Sequence, residues 1–556
     1  MANAFHSQSQ SYSPPLSAVS QPKTSTARWQ SAAWLALIVA VCLRNAWSTL
    51  DRYFLSDDFA YVARFHALPW REWPGLFIGD WSGGIWGSTL PELRPFAALT
   101  FLWDSHWWGV NPLGYHLTNF ALDAGCAVLV ALIGWHVLRL PKWAGAAAAA
   151  VFACHPAHAE PVAWITGRVD LLGTLAYLGG FYAAARSMDS ARPGRWVALA
   201  VGTYFVGCFS KEFCLTMPLM FGAWLVVYRA PGFNGATRAR WGLLGGFVAV
   251  VVIYALCRQH AFGGGRASSH GLAWFSPAWA ERQMDYLRWY LTPLYNWGRD
   301  HRPELAAAPW RFIGVVAAVV LGGLALAHRY FPSARTGWRA VLFFGVTWYL
   351  VATLPMAVAS YFSPRHLYLS TAGLGLAFAA VVAHAIRWRI AAALVASWAV
   401  IFSAQCFDQA ASAWRHSAKV SERVTAAVVA ESTARPDFAL ILDVPQYYEG
   451  VGMWAWATPF ALEPPFTSAS PAVVIEAPLV YFNPEAWLRP KLFAQLAQAP
   501  GATLISLDAR GYAVVQQVDA SRWPSATSVL PTERGASGVA GYEAAWHEFL
   551  LALRQP

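Results

Sequence analysis

Charge is what this chain has least of. Lys, Arg, Asp and Glu together make up 13% of its 556 residues, against roughly 25% in a soluble globular protein. So few charges cannot keep a water-facing surface solvated, and a soluble enzyme is excluded. Cysteine is also scarce. The seven lie at 42, 126, 154, 208, 214, 257 and 406, in or beside apolar segments, and none follows Cys406. The C-terminal region therefore holds neither a disulfide nor a thiolate metal set. No Gly-x-Gly-x-x-Gly, Walker A or His-Glu-x-x-His pattern marks a nucleotide or zinc site. The run Gly263–Arg266 is a flexible loop rather than a phosphate cradle, because no strand and helix flank it. No repeat of fixed period occurs, as a solenoid would require.

What fills the space is apolar. The chain is 57% hydrophobic, with mean hydropathy +0.36. It carries 31 Trp, 32 Phe and 21 Tyr, a load suited to membrane interfaces. A helix needs about 20 mostly apolar residues to cross a bilayer. By that measure the candidate spans are 32–50, 113–138, 143–160, 169–186, 196–210, 213–228, 241–257, 310–328, 339–358, 366–385 and 390–407, about eleven in all. The third has a short apolar part. It completes a crossing only if the polar block after it is buried in protein or faces a wet cavity.

The formal net charge of +10 is topological. Its arginines sit in short loops between spans, not in one patch for nucleic acid. Arg28, Arg139, Lys142, Arg186, Arg192, Arg195, Arg229, Arg238, Arg240, Arg329, Arg335, Arg339, Arg387 and Arg389 fall on one side, which the positive-inside rule makes the cytoplasm. The opposite side then receives loops 51–112 and 258–309, the block 155–168, Lys211–Glu212, 359–365 and the C-terminal region. Segment 279–297 reads as an interfacial amphipathic helix. Loop 51–112, with Trp at 70, 73, 81, 86, 103, 107 and 108, is expected to form short helices lying on the outer leaflet. Residues 1–30 are polar and expected to be disordered in the cytoplasm. Residues 31–407 form the membrane domain, and its first apolar run is retained, having no cleavage site. Residues 408–556 read as a small α/β domain. Its strands are expected at 438–445 and 471–482 and as a pair within 502–518 around an Ala-Arg-Gly turn. Its helices are expected at 483–498 and 542–555.

Ionisable residues at membrane edges usually mark substrate paths or reaction centres. Asp57 and Asp58 follow the first span directly. Adjacent carboxylates can divide roles, one as general base and the other binding a metal or orienting the acceptor. Desolvation and like charge raise the pKa of one of them. The block His155–Asp170 holds His155, His158, Glu160, Arg168 and Asp170 between two apolar segments. His155, His158 and Glu160 make a zinc triad conceivable, but Pro156 and Pro161 break the helix that would align them. Recognition of an anionic or polyhydroxylated substrate is the better reading. Arg168 and Asp170 are placed either to pair with each other or to bind substrate. Lys211 with Glu212, Arg365 with His366, and Arg94 sit where loops meet spans. Lysine and arginine there suit a lipid phosphate.

In order and spacing, DDFAYV (57–62), RPF (94–96), NPLGYHLTNFALD (111–123), HPAHAEPVAWITGRVDLL (155–172), SKEFCLTMP (210–218) and PRHLYLSTAGLGL (364–376) resemble membrane glycosyltransferases of the GT-C type. The likeness is greatest to the transmembrane-and-tetratricopeptide-repeat O-mannosyltransferase family and its bacterial relatives. The resemblance implies a polytopic helical fold and a sugar donor on a polyprenyl phosphate. It implies an acidic base in the first outer loop, here Asp57 or Asp58. It also implies cations on the lipid phosphate, here Lys211 and Arg365, with Arg94 and His366 less direct. The block 155–170 matches the family's second outer block. The chain departs from the family in having no tandem helical repeats after the membrane region, so a polysaccharide or glycolipid acceptor stands beside a protein one. The expectation is therefore a multi-pass protein of a bacterial inner membrane with an extracytoplasmic C-terminal domain. Its partners are the lipid-linked donor, the bilayer and an acceptor, with no nucleic acid. No residue set calls for a metal or another cofactor, although the paired carboxylates are compatible with a divalent ion. The alternatives are a transporter or flippase of lipid-linked sugars, or a non-catalytic scaffold for envelope assembly.

Overall fold

The computed structural model describes residues 24–86, 89–227, 237–263, 277–290, 337–353, 355, 363–385, 388–445, 447–454, 457–467, 473–476, 498–519, 521 and 539–554. Its helices are α1 (Thr24–Trp47), α2 (Asp57–Ala67), α3 (Pro95–Trp108), α4 (Pro112–Leu132), α5 (Lys142–Ala153), α6 (Ala159–Ala163), α7 (Arg168–Asp189), α8 (Pro193–Cys208), α9 (Met217–Val227), α10 (Thr237–Phe262), α11 (Pro277–Tyr290), α12 (Gly337–Thr353), α13 (Ser370–Ala385), α14 (Arg389–Ala434), α15 (Thr458–Ala461) and α16 (Val539–Arg554). A small sheet lies near the C-terminal end. The mostly helical fold with a minor α/β part matches the composition.

Four stretches among the described residues are long and apolar enough to cross a membrane: Trp29–Trp47, Pro112–Val137, Arg238–Phe262 and the apolar part of α14. The sequence suggests about eleven over the whole chain, and some of the others are described but fall short of this measure. Helix α5 has 12 residues, about 18 Å at 1.5 Å per residue, against a hydrocarbon core of about 30 Å. Helix α7 has 22 residues but carries Arg168, Asp170, Arg186 and Asp189. The expected span 310–328 and all but the last residue of the expected helix 483–498 lie outside the described residues. Helix α1 starts at Thr24, inside the stretch expected to be disordered.

Small residues let the bundle close. A Cβ on Gly375 of α13 would lie 2.5 Å from the Ala148 carbonyl of α5, and one on Gly345 of α12 would lie 2.6 Å from Ala377. Such approaches are how helices pack when lipid removes the hydrophobic drive between them. The bundle core gathers Phe152, Tyr177, Phe181, Trp348 and Tyr368.

A second core ties distant parts of the chain together. Phe54, Phe59, Phe65, Trp81 and Phe101 of the first long loop pack with Trp164 and Ile165. The same cluster contains Val420, Val424, Val428, Met453 and Trp454. Helices α2 and α3 are therefore built into the body of the protein, with Trp81 fully buried, while Trp103 and Trp107 stay exposed. Helix α14 has 46 residues, about 69 Å, and runs unbroken through the expected domain boundary at 407/408. It exposes Leu394, Trp398 and Ile401 near its start and buries its later turns in this second core.

Strands β1 (Ala439–Asp443), β2 (Tyr447–Tyr448), β3 (Val451–Gly452), β4 (Val473–Glu476), β5 (Gly501–Leu507) and β6 (Ala513–Asp519) follow. The main sheet runs β4-β1-β5-β6. Strand β1 is parallel to β4 and β5, and β5 and β6 form an antiparallel hairpin. The hairpin turns where Ala-Arg-Gly predicts it, with Gly511 at φ 71°, a conformation glycine adopts without a Cβ clash. Helix α16 covers one face through Trp546, Phe549 and Leu553.

Candidate functional site

The structure gives Asp57 and Asp58 different neighbours. They occupy the first two positions of α2, where the helix dipole favours negative charge. Asp58 points inward and is 1% exposed. Its Oδ2 accepts from the Leu55 amide at 3.0 Å. Its Oδ1 accepts from the Thr166 amide at 2.8 Å and the Thr166 hydroxyl at 2.7 Å. Burial pushes its pKa up to about 7, against the pull of those donors. Asp58 thus fastens α2 to the turn at 165–167. Asp57 is half-buried and lies one helical turn before Tyr61, whose hydroxyl pKa is pushed up by burial and by the Glu92 and Asp57 carboxylates, against the pull of Arg94.

The polar block is buried, as a short third span requires, but its members separate. Arg168 is fully enclosed. It forms a salt bridge with Asp104, donates to Asn119 Oδ1 and the Tyr115 carbonyl, and lies 4.3 Å over the Phe101 ring. Arg168 and Asp170, for which mutual pairing is one of the two readings from sequence, have separate partners. Asp170 lies instead between Lys211 at 3.5 Å and Arg365 at 3.4 Å. His155 Nε2 bonds the Tyr290 carbonyl and His158 Nε2 bonds the Thr371 hydroxyl. Glu160 turns away from both and takes Ser363 and Arg365. The zinc triad conceivable from spacing is thus dispersed. No group of three or more His, Cys, Asp or Glu among the described residues is arranged to hold a metal.

The cations predicted from three separate segments converge. Arg365 pairs with Glu160 and Asp170, and its guanidinium lies 4.7 Å over the Trp164 ring. Lys211 follows Asp170 along the row. Arg94 then bridges Glu212 at 3.2 Å and Glu92 at 2.8 Å. His366, beside Arg365, bonds the Tyr286 hydroxyl at 2.9 Å. Burial lowers the Lys211 pKa, and the Asp170 carboxylate opposes that. For Glu212, burial raises the pKa, but Arg94 and Lys211 overcome it and hold the carboxyl below its ordinary value.

Both Asp170 oxygens are buried without a hydrogen bond. The ion contacts at 3.4 and 3.5 Å exceed the roughly 2.7–2.9 Å of a charge-assisted hydrogen bond. Lys211 and Arg365 are therefore held loosely by Asp170. Sequence reasoning missed Glu92, Asp104, Thr166 and Ser363. Asp104 alone had left a signal, as a single carboxylate in the apolar run FLWDSHWW, since a buried charge needs a partner.

The fold and site define a helical membrane protein with a buried row of alternating charges at one end of its bundle. Among proteins of known activity, the chain is similar to protein O-mannosyl-transferases. It is 31% identical over 186 residues to Tmtc2 of Drosophila melanogaster, covering 31% of this chain and 19% of that protein. It is 30% identical over 214 residues to human TMTC4, covering 33% of this chain and 28% of that protein. It is 34% identical over 173 residues to human TMTC1, covering 30% of this chain and 19% of that protein. The chain thus spans less than a third of the length of these relatives. No known family profile matches it. Among solved structures, ArnT from Cupriavidus metallidurans in the apo state overlaps with a TM-score of 0.46 at 13% identity, covering 86% of this chain and 93% of that one. The Archaeoglobus fulgidus oligosaccharyltransferase, in complex with Zn and sulfate, overlaps at 0.44 and 13% identity, covering 87% of this chain and 72% of that one.

Proposed function

We propose that this chain is an integral-membrane glycosyltransferase. It moves one sugar from a polyprenyl-phosphate donor to an acceptor hydroxyl of a protein, glycolipid or polysaccharide. The reaction takes place on the extracytoplasmic face, where the positive-inside rule also puts the C-terminal region. The observation that carries this reading is the convergence of Arg94, Lys211 and Arg365 in one charged row, with Asp57 one helical turn from Tyr61, whose ring stacks on the Trp81 ring that Arg94 overlies. The names of the relatives support sugar transfer.

In this mechanism Asp57 accepts the proton of the acceptor hydroxyl as its oxygen attacks the anomeric carbon. The bond from that carbon to the phosphate oxygen breaks, and its electron pair leaves on the phosphate. Lys211 and Arg365 neutralise the growing charge, exchanging Asp170 for phosphate oxygens. Fixed cations in a dry site do this without reorganisation. One direct displacement inverts the anomeric centre. Glu160 and Ser363 keep the Arg365 guanidinium in place. His155, His158 and Arg168 shape the wall and stay out of the chemistry.

The test is binding of undecaprenyl phosphate to purified protein. Lys211→Met and Arg365→Gln each remove a charge-assisted bond and are expected to weaken binding by about tenfold or more. Wild-type affinity in both variants would sink the phosphate assignment.

A further inference from the structure

The residue before Asp57 has a backbone conformation that serine rarely adopts. Ser56 sits at φ 49°, ψ −125°, a sparsely populated region that persists only where the surroundings impose it. Here the surroundings come from the C-terminal region. The Ser56 amide donates to the Met453 carbonyl. Ser421, in the second half of α14, donates its hydroxyl to the Phe54 carbonyl at 2.9 Å and accepts from the Trp454 indole N–H at 3.1 Å. The Phe466 ring lies 5.2 Å from Phe54 and 4.9 Å from Phe59. At Gly452 a Cβ would come within 3.3 Å of the Ser56 hydroxyl, so the absence of a side chain lets β3 lie close.

The start of α2 is therefore held from two sides. Asp58 ties it to Thr166, and Phe54 and Ser56 tie it to residues 421 and 453–454. Asp57 stands between the two attachments. Releasing the second lets Ser56 relax toward an ordinary conformation, which turns the peptide leading into Asp57. The cation row is built by residues 92–94, 160, 170, 211–212 and 365, and need not move.

We infer that the Ser421–Met453–Trp454 clamp positions Asp57 for proton transfer, so that Ser421 and Trp454 are positioning residues of the transfer reaction. This rests on Asp57 as the base. A shift of about 1 Å in a reacting group can cost up to about a hundredfold in rate, so a modest relaxation is enough to be read.

The experiment uses the full-length protein with Ser421→Ala, Ser421→Thr, Trp454→Phe and Asp57→Asn. It measures kcat, donor KM and hydrogen exchange of the Ser56 amide. Ser421→Ala and Trp454→Phe are each expected to lower kcat about tenfold and leave donor KM within about twofold, because one hydrogen bond is lost away from the phosphate site. The Ser56 amide is expected to exchange faster in both. Ser421→Thr restores the hydroxyl and stays within about twofold of wild-type kcat. If Ser421→Ala fails to fold, Trp454→Phe, which keeps an aromatic ring but removes the indole N–H, carries the test. Wild-type kcat in the clamp variants while Asp57→Asn is inactive overturns the clamp alone. A loss borne by donor KM, or unchanged exchange at Ser56, also overturns it. Full turnover in Asp57→Asn removes the base and the clamp's role with it.

Discussion

Replacing Asp58 by Asn separates anchoring from chemistry. The Asp58 oxygens receive three donors: the Leu55 amide, the Thr166 amide and the Thr166 hydroxyl. An asparagine keeps one oxygen. Whichever way its amide turns, its NH₂ faces a buried backbone N–H. One bond is lost and a donor is left unpaired, at a cost of about 1–3 kcal/mol. The variant also removes a titration. Burial raises the folded-state pKa of Asp58 from its ordinary value to about 7. The folded protein then holds that proton more tightly than the unfolded chain. The associated stability is fully present below about pH 4 and is lost as pH rises through about 7. About three pH units correspond to about 4 kcal/mol. Thermal unfolding of purified protein from about pH 5 to about pH 8 is the assay. Asp58→Asn should melt below wild type at the acid end, and the gap should shrink or reverse toward the alkaline end. Because Asp57 is intact, the variant should keep measurable turnover. Parallel pH dependence in the two proteins would refute the reasoning.

Other perturbations test other parts of the account. Asp104→Asn or Arg168→Gln leaves an uncompensated charge in a fully enclosed site. Each should destabilise the protein by about 3–5 kcal/mol, and the double variant by less than the sum, as read by unfolding. Glu160→Gln keeps an acceptor for the Ser363 hydroxyl but loosens Arg365. It should lower kcat/KM by about tenfold, with kcat carrying part of the loss, measured in steady-state kinetics.

The membrane fold was legible because apolar runs and scarce charge leave few alternatives. The block 155–170 stood out because five ionisable groups cannot lie in lipid unpaired. What spacing could not supply was the pairing. Arg168 and Asp170 are neighbours in sequence, yet one belongs to Asp104 and the other to Lys211 and Arg365. The division between Asp57 and Asp58 depends on Thr166, which is 108 positions from Asp58. No local pattern records such a contact. The strands near the C-terminal end were readable from their β-branched runs. The continuity of α14 was hidden, because its apolar first part resembles a span ending near 407 and its later turns bury only alternate faces. The Ser56–Met453 bond has no sequence signature.

We propose transfer of a sugar from a lipid phosphate with Asp57 as base. The most direct measurement is release of free polyprenyl phosphate from a panel of polyprenyl-phosphate sugars by purified wild type and Asp57→Asn, in the presence of acceptor hydroxyls. Loss of a general base costs about 10²–10⁴-fold. The account predicts release by wild type from at least one donor and a loss of that size in Asp57→Asn. Equal release by the two proteins, or none by wild type from any donor, would contradict it.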